Sequence, residues 1–231
     1  LGITTLIARA DNHIIRLLME YRDEGGSLQW VAQTCPGVGP TERVARMAIG
    51  GGASAVFVHG GVMDHAFAQK DFGEVHRGIE LVREAGLPVG TAGHNPEVHE
   101  WAEEHLDLDF YMCSYYNSAH RDKDAEKKSG QAEWFRDADR RRMAETIRAL
   151  SRPAIHYKVM AAGRNDPAEA LGFVAHAMRP TDAVCVGVFT RDKPDMLAED
   201  VRLFEEAWSG RKEHEKGKGE TGEKRKRLKR P

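Results

Sequence analysis

The chain has 231 residues, of which 41% are hydrophobic and 30% are charged, and its formal net charge is −2. This length supports one large hydrophobic core. No segment approaches the roughly 20 consecutive apolar residues of a membrane helix, so we expect no membrane contact. The cysteines Cys35, Cys113 and Cys185 lack CxxC spacing, which argues against a disulfide scaffold and favours a reducing compartment such as the cytoplasm. A signal segment preceding Leu1 would not be visible in this sequence.

Basic charge is concentrated at the C-terminus. Residues 209–231 carry ten Lys and Arg side chains against four Glu, a local charge of +6, which leaves about −8 for residues 1–208. An acidic domain is not expected to bind nucleic acid, and the tail has no aromatic residue to stack on bases. We therefore expect residues 1–208 to form the folded domain and residues 209–231 to be a disordered basic tail.

Short apolar runs alternate with longer amphipathic stretches along the chain. The runs predict strands over residues 4–9, 28–34, 55–59, 89–94, 110–116, 154–161 and 183–189. The amphipathic stretches predict helices over residues 14–24, 41–48, 74–85, 97–105, 140–150, 167–178 and 196–208. This alternation indicates a parallel β/α architecture, because parallel strands need a long crossover connection.

Glycine and proline positions support this assignment. Gly25-Gly26, Gly50-Gly51-Gly52 and Gly86 stand where helices should end, and Asn95-Pro96 is typical of a helix start. No glycine-rich phosphate loop follows the first strand, which argues against a doubly wound sheet. The spacing of the seven units predicts a (β/α)8 TIM barrel that lacks its first strand and begins at the second.

The active sites of such barrels lie at the carboxyl ends of the strands. Polar residues repeatedly stand at these positions, which predicts a polar pocket: Arg9, Asp11, Gln33, Thr34, His59, His94, Asn95, Tyr116, Asn117, Lys158, Arg164, Thr190 and Arg191.

Three of these residues are candidate catalytic groups. His59 precedes Gly60-Gly61, where the backbone can lie close to a ligand, and it could donate to a substrate oxygen, act as an acid or base, or bind a metal. His94 has the same options, or it helps to cap the next helix. Lys158 falls within a predicted strand, where burial would make it a Schiff-base nucleophile, or it pairs with an acid at the barrel mouth. Alternation places His156 and Lys158 on one side of that strand and Tyr157 on the other.

A divalent-metal site is a further hypothesis, built from His59, His94 and an acid such as Asp64 or Asp11. Because Asp64-His65 and residues 120–122 fall in polar segments, we expect them to be solvated loops. The segment 120–135 is long for a barrel loop, which predicts a lid or a pocket rim.

Several segments resemble aldo/keto reductases. Residues 90–98, Gly-Thr-Ala-Gly-His-Asn-Pro-Glu-Val, resemble the fifth strand of that family, often G-x-S-x-H-x-P-E-x. Residues 110–117 are similar to the next strand, which commonly ends in Tyr-Asn. Residues 154–163 are similar to the seventh strand with its K-x-x-x-x-G, and residues 184–189 with 196–201 to the last strand and helix. Together the resemblance covers residues 54–206.

The resemblance implies a divergent, N-terminally truncated aldo/keto reductase-like barrel that uses NADP and acts on a small carbonyl or sugar-like substrate. It implies cofactor contacts from Asn95, Asn117, Gly187, Thr190 and Arg191. Of the catalytic set of the family, which comprises Asp, Tyr, Lys and His, only the histidine has a match, His59. Ile7 stands near the expected aspartate and Gln33-Thr34 where the lysine belongs.

Two alternatives stay open because fold does not determine function. One is a non-redox lyase, isomerase or hydrolase that uses a metal at His59 and His94 or a Schiff base at Lys158. The other is a non-catalytic barrel. The sequence does not indicate an oligomeric state.

Overall fold

A computed structural model describes residues 1–117 and 135–227, with side chains described through residue 211. The chain divides into two compact units. The first unit comprises residues 2–158 and 179–185, and it contains every strand. The second comprises residues 159–178 and the chain from Val186 onward, together with Leu1.

The first unit is built on a curled sheet of seven parallel strands in sequential order. The strands are β1 (Thr5–Arg9), β2 (Gln29–Gln33), β3 (Ala55–Val58), β4 (Val89–Gly93), β5 (Phe110–Ser114), β6 (Ala154–Tyr157) and β7 (Ala183–Val184). Its helices are α1 (Asn12–Asp23), α2 (Thr41–Gly50), α3 (Gly60–Gln69), α4 (Gly73–Glu84), α5 (Pro96–His105) and α6 (Asp137–Ala149). Strands in sequential parallel order, joined by helices, are the arrangement of a (β/α) barrel, so the predicted fold class is confirmed as a partial barrel. The absence of a preceding strand stays a prediction.

The second unit contains a 3-10 turn (Ala161–Gly163), α7 (Pro167–Ala177) and α8 (Met196–Arg227). Asp166 caps α7, since its side chain accepts a hydrogen bond from the Glu169 amide at 3.0 Å. Arg211 of α8 donates to the carbonyl oxygen of Ala175 at 2.9 Å, which ties α8 to the end of α7. Helix α8 continues to Arg227, within the segment 209–231 for which the sequence predicts disorder, and the separation of that tail from residues 1–208 stays a prediction. None of the described helices has the length and apolarity that crossing a membrane requires.

All seven predicted strands are present, but the last two are shorter than predicted. Strand β6 ends at Tyr157 because Lys158 has φ of +59°, in the left-handed region, which cannot continue a strand. Strand β7 pairs with Ile155 and His156 and ends at Val184, because β6 has no further paired residues.

One helix was not predicted. Helix α3 replaces the polar loop expected around Asp64-His65, and Asp64 is buried. The helix is covered on nearly every side, so it has no polar stripe from which its period could be recognised.

The inner face of the curled sheet is apolar at mid-depth. Side chains from alternate positions of β1 to β6 pack together there: Ile7, Val31, Ala55, Phe57, Ala92, Phe110, Met112, Ile155 and Tyr157. Gly90 leaves room for this packing, since a Cβ at that position would lie 2.6 Å from the Phe110 carbonyl oxygen. Alternate positions are what a period of two places on one face of a strand.

The outer face of β4 and β5 meets a buried histidine of α5. His99 is fully buried, with Nε2 3.3 Å from the Gly93 carbonyl oxygen and Nδ1 3.8 Å from the Cys113 sulfur. Burial lowers the pKa of His99 from its ordinary value of 6.5 to about 4, which outweighs the opposite effect of the Gly93 hydrogen bond. His99 is therefore neutral in the folded protein at neutral pH.

This burial predicts acid sensitivity. Below about pH 6.5 the unfolded chain takes up a proton on His99 and the folded chain does not, so the free energy of unfolding falls as pH decreases toward the folded pKa. At about pH 5 the loss is about 2 kcal/mol. Urea unfolding of wild type and His99→Gln at about pH 7.5 and about pH 5 should show a weaker pH dependence in the variant. The same substitution at exposed His76 should leave the pH dependence unchanged, and an equal dependence in all three proteins contradicts the prediction.

Candidate active site

Polar side chains follow the apolar layer on the inner face of the sheet. Continuing the alternation of Ile7, Val31, Phe57, Ala92 and Met112 toward the carboxyl ends of the strands leads to Arg9, Gln33, His59, His94 and Ser114. Tyr157 is the last inner-face residue of β6. The predicted polar mouth is therefore formed within the first unit.

His94 and Asp64 form a buried pair. His94 follows β4, and its Nδ1 lies 2.6 Å from Asp64 Oδ2, while its backbone N–H donates to Asp64 Oδ1 at 3.1 Å. The two side chains are 4% and 0% exposed. A buried carboxylate is costly unless its oxygens are hydrogen-bonded, and here His94 bonds to both of them. The carboxylate is an acceptor, so the ring proton lies on Nδ1 of His94.

A glycine allows this approach. A Cβ on Gly60 would lie 2.8 Å from Cε1 and 3.2 Å from Nδ1 of the His94 ring. Gly60 is the first residue of α3, and Asp64 follows one helical turn later. The absence of a side chain at Gly60 therefore lets the first turn of α3 lie against His94, with Asp64 in reach of its ring.

Tyr157 lies on the other side of the His94 ring. Its hydroxyl is 3.4 Å from His94 Nε2, and the two rings meet edge to face with centroids 6.2 Å apart. Because Nδ1 of His94 carries the proton, Nε2 is the acceptor and the Tyr157 hydroxyl is the donor. The three side chains thus form a carboxylate–imidazole–phenol chain, which we call the Tyr157 relay: Asp64, His94 and Tyr157.

His59 is fixed at the start of α3. Its Nδ1 accepts the Gly61 amide hydrogen at 3.0 Å, and its own amide donates to the buried Thr34 hydroxyl at 3.0 Å. With Nδ1 engaged as an acceptor, the proton of the neutral ring is on Nε2. His59 is therefore a positioned donor one residue beyond β3.

Asn95 and Asn117 are also brought together. Asn117 Nδ2 donates to Asn95 Oδ1, and Asn117 Oδ1 is buried with no hydrogen-bond partner among the described residues. Asn95 is the N-cap of α5 by its backbone, but its side chain does not make the capping hydrogen bond. An unsatisfied buried acceptor at a strand end indicates a place for a ligand N–H.

The other predicted site residues lie apart from these contacts. Lys158 follows β6 rather than lying within it and is half-buried, so it is not the buried strand lysine that the sequence predicts; its role as a nucleophile stays a prediction. Gly187, Thr190 and Arg191 belong to the second unit, where all three are exposed. The segment 118–134, which includes most of the predicted lid, lies outside the described residues.

The donors do not fit the metal hypothesis. In residues 1–117 and 135–227, no group of three or more His, Cys, Asp or Glu side chains is placed to hold a metal ion. Nδ1 of His94 bonds to Asp64 and Nδ1 of His59 bonds to Gly61. Asp11 caps α1 by accepting the Ile14 amide hydrogen at 2.8 Å.

Sequence reasoning missed Asp64 as a partner of His94, and it missed Tyr157 entirely. The signal for Tyr157 was present in the alternation of Ile155 and Tyr157, the inner residues of β6. Asp64 offered no such signal, because its position depends on a helix that the sequence pattern does not reveal.

Comparison with solved structures identifies the fold. The candidate aldo-keto reductase PA4992 from Pseudomonas aeruginosa is 18% identical with a TM-score of 0.60, over 90% of this chain and 79% of that chain. A candidate aldo-keto reductase from the same organism gives 17% and 0.59, over 90% and 78%. The holo form of the aldo-keto reductase AKR11C1 from Bacillus halodurans gives 13% and 0.51, over 88% and 77%. The chain therefore has an aldo-keto reductase-like fold. No protein-family model and no curated protein matches the sequence.

The close approach at Gly60 predicts the effect of adding one methyl group. Gly60→Ala should lower the free energy of unfolding by about 1–3 kcal/mol, because the new Cβ must displace the His94 ring or the first turn of α3. The matched control is Gly172→Ala in α7, where a Cβ meets nothing within 4 Å and the substitution should be neutral or stabilising. Urea unfolding measures both, and equal effects contradict the packing described here.

Proposed function

We propose that this protein is a divergent NADP-dependent oxidoreductase that interconverts a small carbonyl or sugar-like substrate and its alcohol. The observation that carries the proposal is the positioned His59 on a barrel of aldo-keto reductase-like fold. His59 is the one residue that matches the catalytic set implied by the family resemblance, and its Nε2–H is the donor that a substrate oxygen needs. A cytoplasmic location is part of the same proposal.

The amide pair fits a nicotinamide. The buried Asn117 Oδ1 lacks a hydrogen-bond partner among the described residues, and a nicotinamide carboxamide offers the N–H that would satisfy it. Asn95, which accepts from Asn117, would hold the amide in this orientation. Gly187, Thr190 and Arg191 stay predicted contacts of the cofactor, with Arg191 suited to a phosphate.

In this function the residues of the chain have separate tasks. Bound nicotinamide would supply the hydride that the carbonyl carbon receives. His59 would donate from Nε2 to the substrate oxygen and so stabilise the negative charge that develops there. Thr34 and Gly61 would keep the His59 ring in place, because the first bonds its backbone and the second its Nδ1.

Cofactor binding is the first test. Titration of the wild-type protein with NADPH, followed by protein fluorescence and by calorimetry, should give saturable binding; no signal at about 1 mM cofactor overturns the proposed function. Asn117→Ala should weaken NADPH binding about tenfold, the equivalent of one buried hydrogen bond. Asn12→Ala, at the exposed start of α1, serves as the control and should bind NADPH as the wild type does.

Substitution of His59 tests substrate activation. Asn at this position can still accept the Gly61 amide hydrogen as a helix cap, but it is too short to replace Nε2. His59→Asn should therefore lower kcat/KM for glyceraldehyde or methylglyoxal about 100-fold or more while NADPH binding is kept. His76→Asn is the exposed control. Wild-type turnover by His59→Asn contradicts the role of this residue.

A further inference from the structure

Two Tyr–His–Asp chains lie on the same sheet, and their surroundings differ. The first is the Tyr157 relay on the inner face. The second, which we call the Tyr115 network, joins the Tyr115 hydroxyl to His156 Nδ1 at 2.9 Å and His156 Nε2 to Asp182 Oδ2 at 3.3 Å. The pair permits an internal comparison, because the same three side-chain types occur once at the polar mouth and once under the helices.

We propose that the Tyr157 relay is a proton-transfer device in which Tyr157 exchanges its phenol proton with the substrate oxygen. Tyr157 is the catalytic residue of the relay, and His94 and Asp64 are positioning residues behind it. The inference rests on the proposed function, and it supplies the proton donor that the sequence did not reveal.

The direction of the hydrogen bonds supports this assignment. Asp64 fixes the proton of His94 on Nδ1, so that Nε2 faces the Tyr157 hydroxyl as a base. A carboxylate that orients an imidazole toward a hydroxyl group is the arrangement that activates nucleophiles and general bases in enzymes. The distance of 3.4 Å between His94 Nε2 and the Tyr157 oxygen is long for a hydrogen bond, but catalytic hydrogen bonds often tighten only with substrate bound.

Position on the sheet distinguishes the two chains. Tyr157 is half-buried at the carboxyl end of β6 and shares the inner face with His94. Tyr115 and His156 are almost completely buried, and Asp182 is tied to Arg179 and to the Ala154 amide. A substrate can reach the first hydroxyl and not the second, so the Tyr115 network has a structural role.

The proton step balances as follows for carbonyl reduction. The substrate carbon receives a hydride from the reduced nicotinamide, and the electron pair of the C=O π bond moves to the oxygen. That oxygen takes the proton of Tyr157, whose oxygen takes the Nε2 proton of protonated His94. His94 ends neutral, with Nδ1–H still donated to Asp64, and regains a proton from solvent before the next turnover. Alcohol oxidation follows the same path in reverse.

Kinetics separate the two chains. With NADPH and glyceraldehyde, Tyr157→Phe and Asp64→Asn should lower kcat about 100-fold or more, because general acid catalysis is lost or the wrong His94 tautomer is favoured. KM for NADPH should change little. Tyr115→Phe removes the same hydroxyl from the structural network, so it should lower the free energy of unfolding and leave kcat within about twofold. His94→Gln is the second variant of the relay should Asp64→Asn fail to fold.

A second readout does not depend on turnover. Proton and nitrogen NMR of the imidazole groups should show His94 protonated at Nδ1 in wild type and in Tyr157→Phe, and should show that signal lost in Asp64→Asn. Wild-type kcat in Tyr157→Phe, or His94 protonated only at Nε2, overturns the relay. Absence of NADPH binding by the wild-type protein overturns the proposed function and the relay with it, whereas normal binding with an active Tyr157→Phe variant overturns the relay alone.

Discussion

The arrangement of the mouth depends on the buried hydrogen bonds between Asp64 and His94. A carboxylate with no exposed surface is stable there because the ring and the backbone of His94 donate to its two oxygens. Loss of one partner of such a pair typically costs about 3–5 kcal/mol, so the pair fixes the first turns of α3 against the end of β4. Since the same first turn begins with His59 as its cap, the positions of the two inner-face histidines are coupled through one helix.

The Tyr115 network shows that these residue types do not by themselves make a site. Burial would raise the pKa of Asp182, yet hydrogen bonds from His156, Arg179 and two backbone amides hold it well below its usual range. Burial also raises the pKa of the Tyr115 phenol. An anchored carboxylate and an inaccessible phenol stabilise the layer between β6 and its neighbours. What makes the Tyr157 relay different is that its hydroxyl lies on the face that leads to the strand ends.

The fold was predictable from sequence because the apolar runs and the glycine-marked helix ends agree along the whole chain. The site was predictable in location and only partly in composition. His59 and His94 end strands that the pattern predicts, so their positions follow directly. Asp64 lies on a helix with buried residues on nearly every side, and Lys158 adopts a left-handed backbone conformation; neither feature has a periodic signal in the sequence. Contacts between residues 30 or more positions apart, such as Asp64 with His94, need the folded chain.

The inner face also explains how the fold can be kept while the usual catalytic set is not. Ile7 packs in the apolar layer near the position expected for the family's aspartate, and Gln33 occupies the position expected for its lysine. No proton donor can act from those two positions. Every strand of a parallel barrel, however, brings its last inner residue toward the same mouth, so a tyrosine on β6 can address the same space as groups on β1 and β2. A buried aspartate costs stability, and its pairing with a histidine that faces an accessible phenol is the arrangement in which that cost has a chemical use.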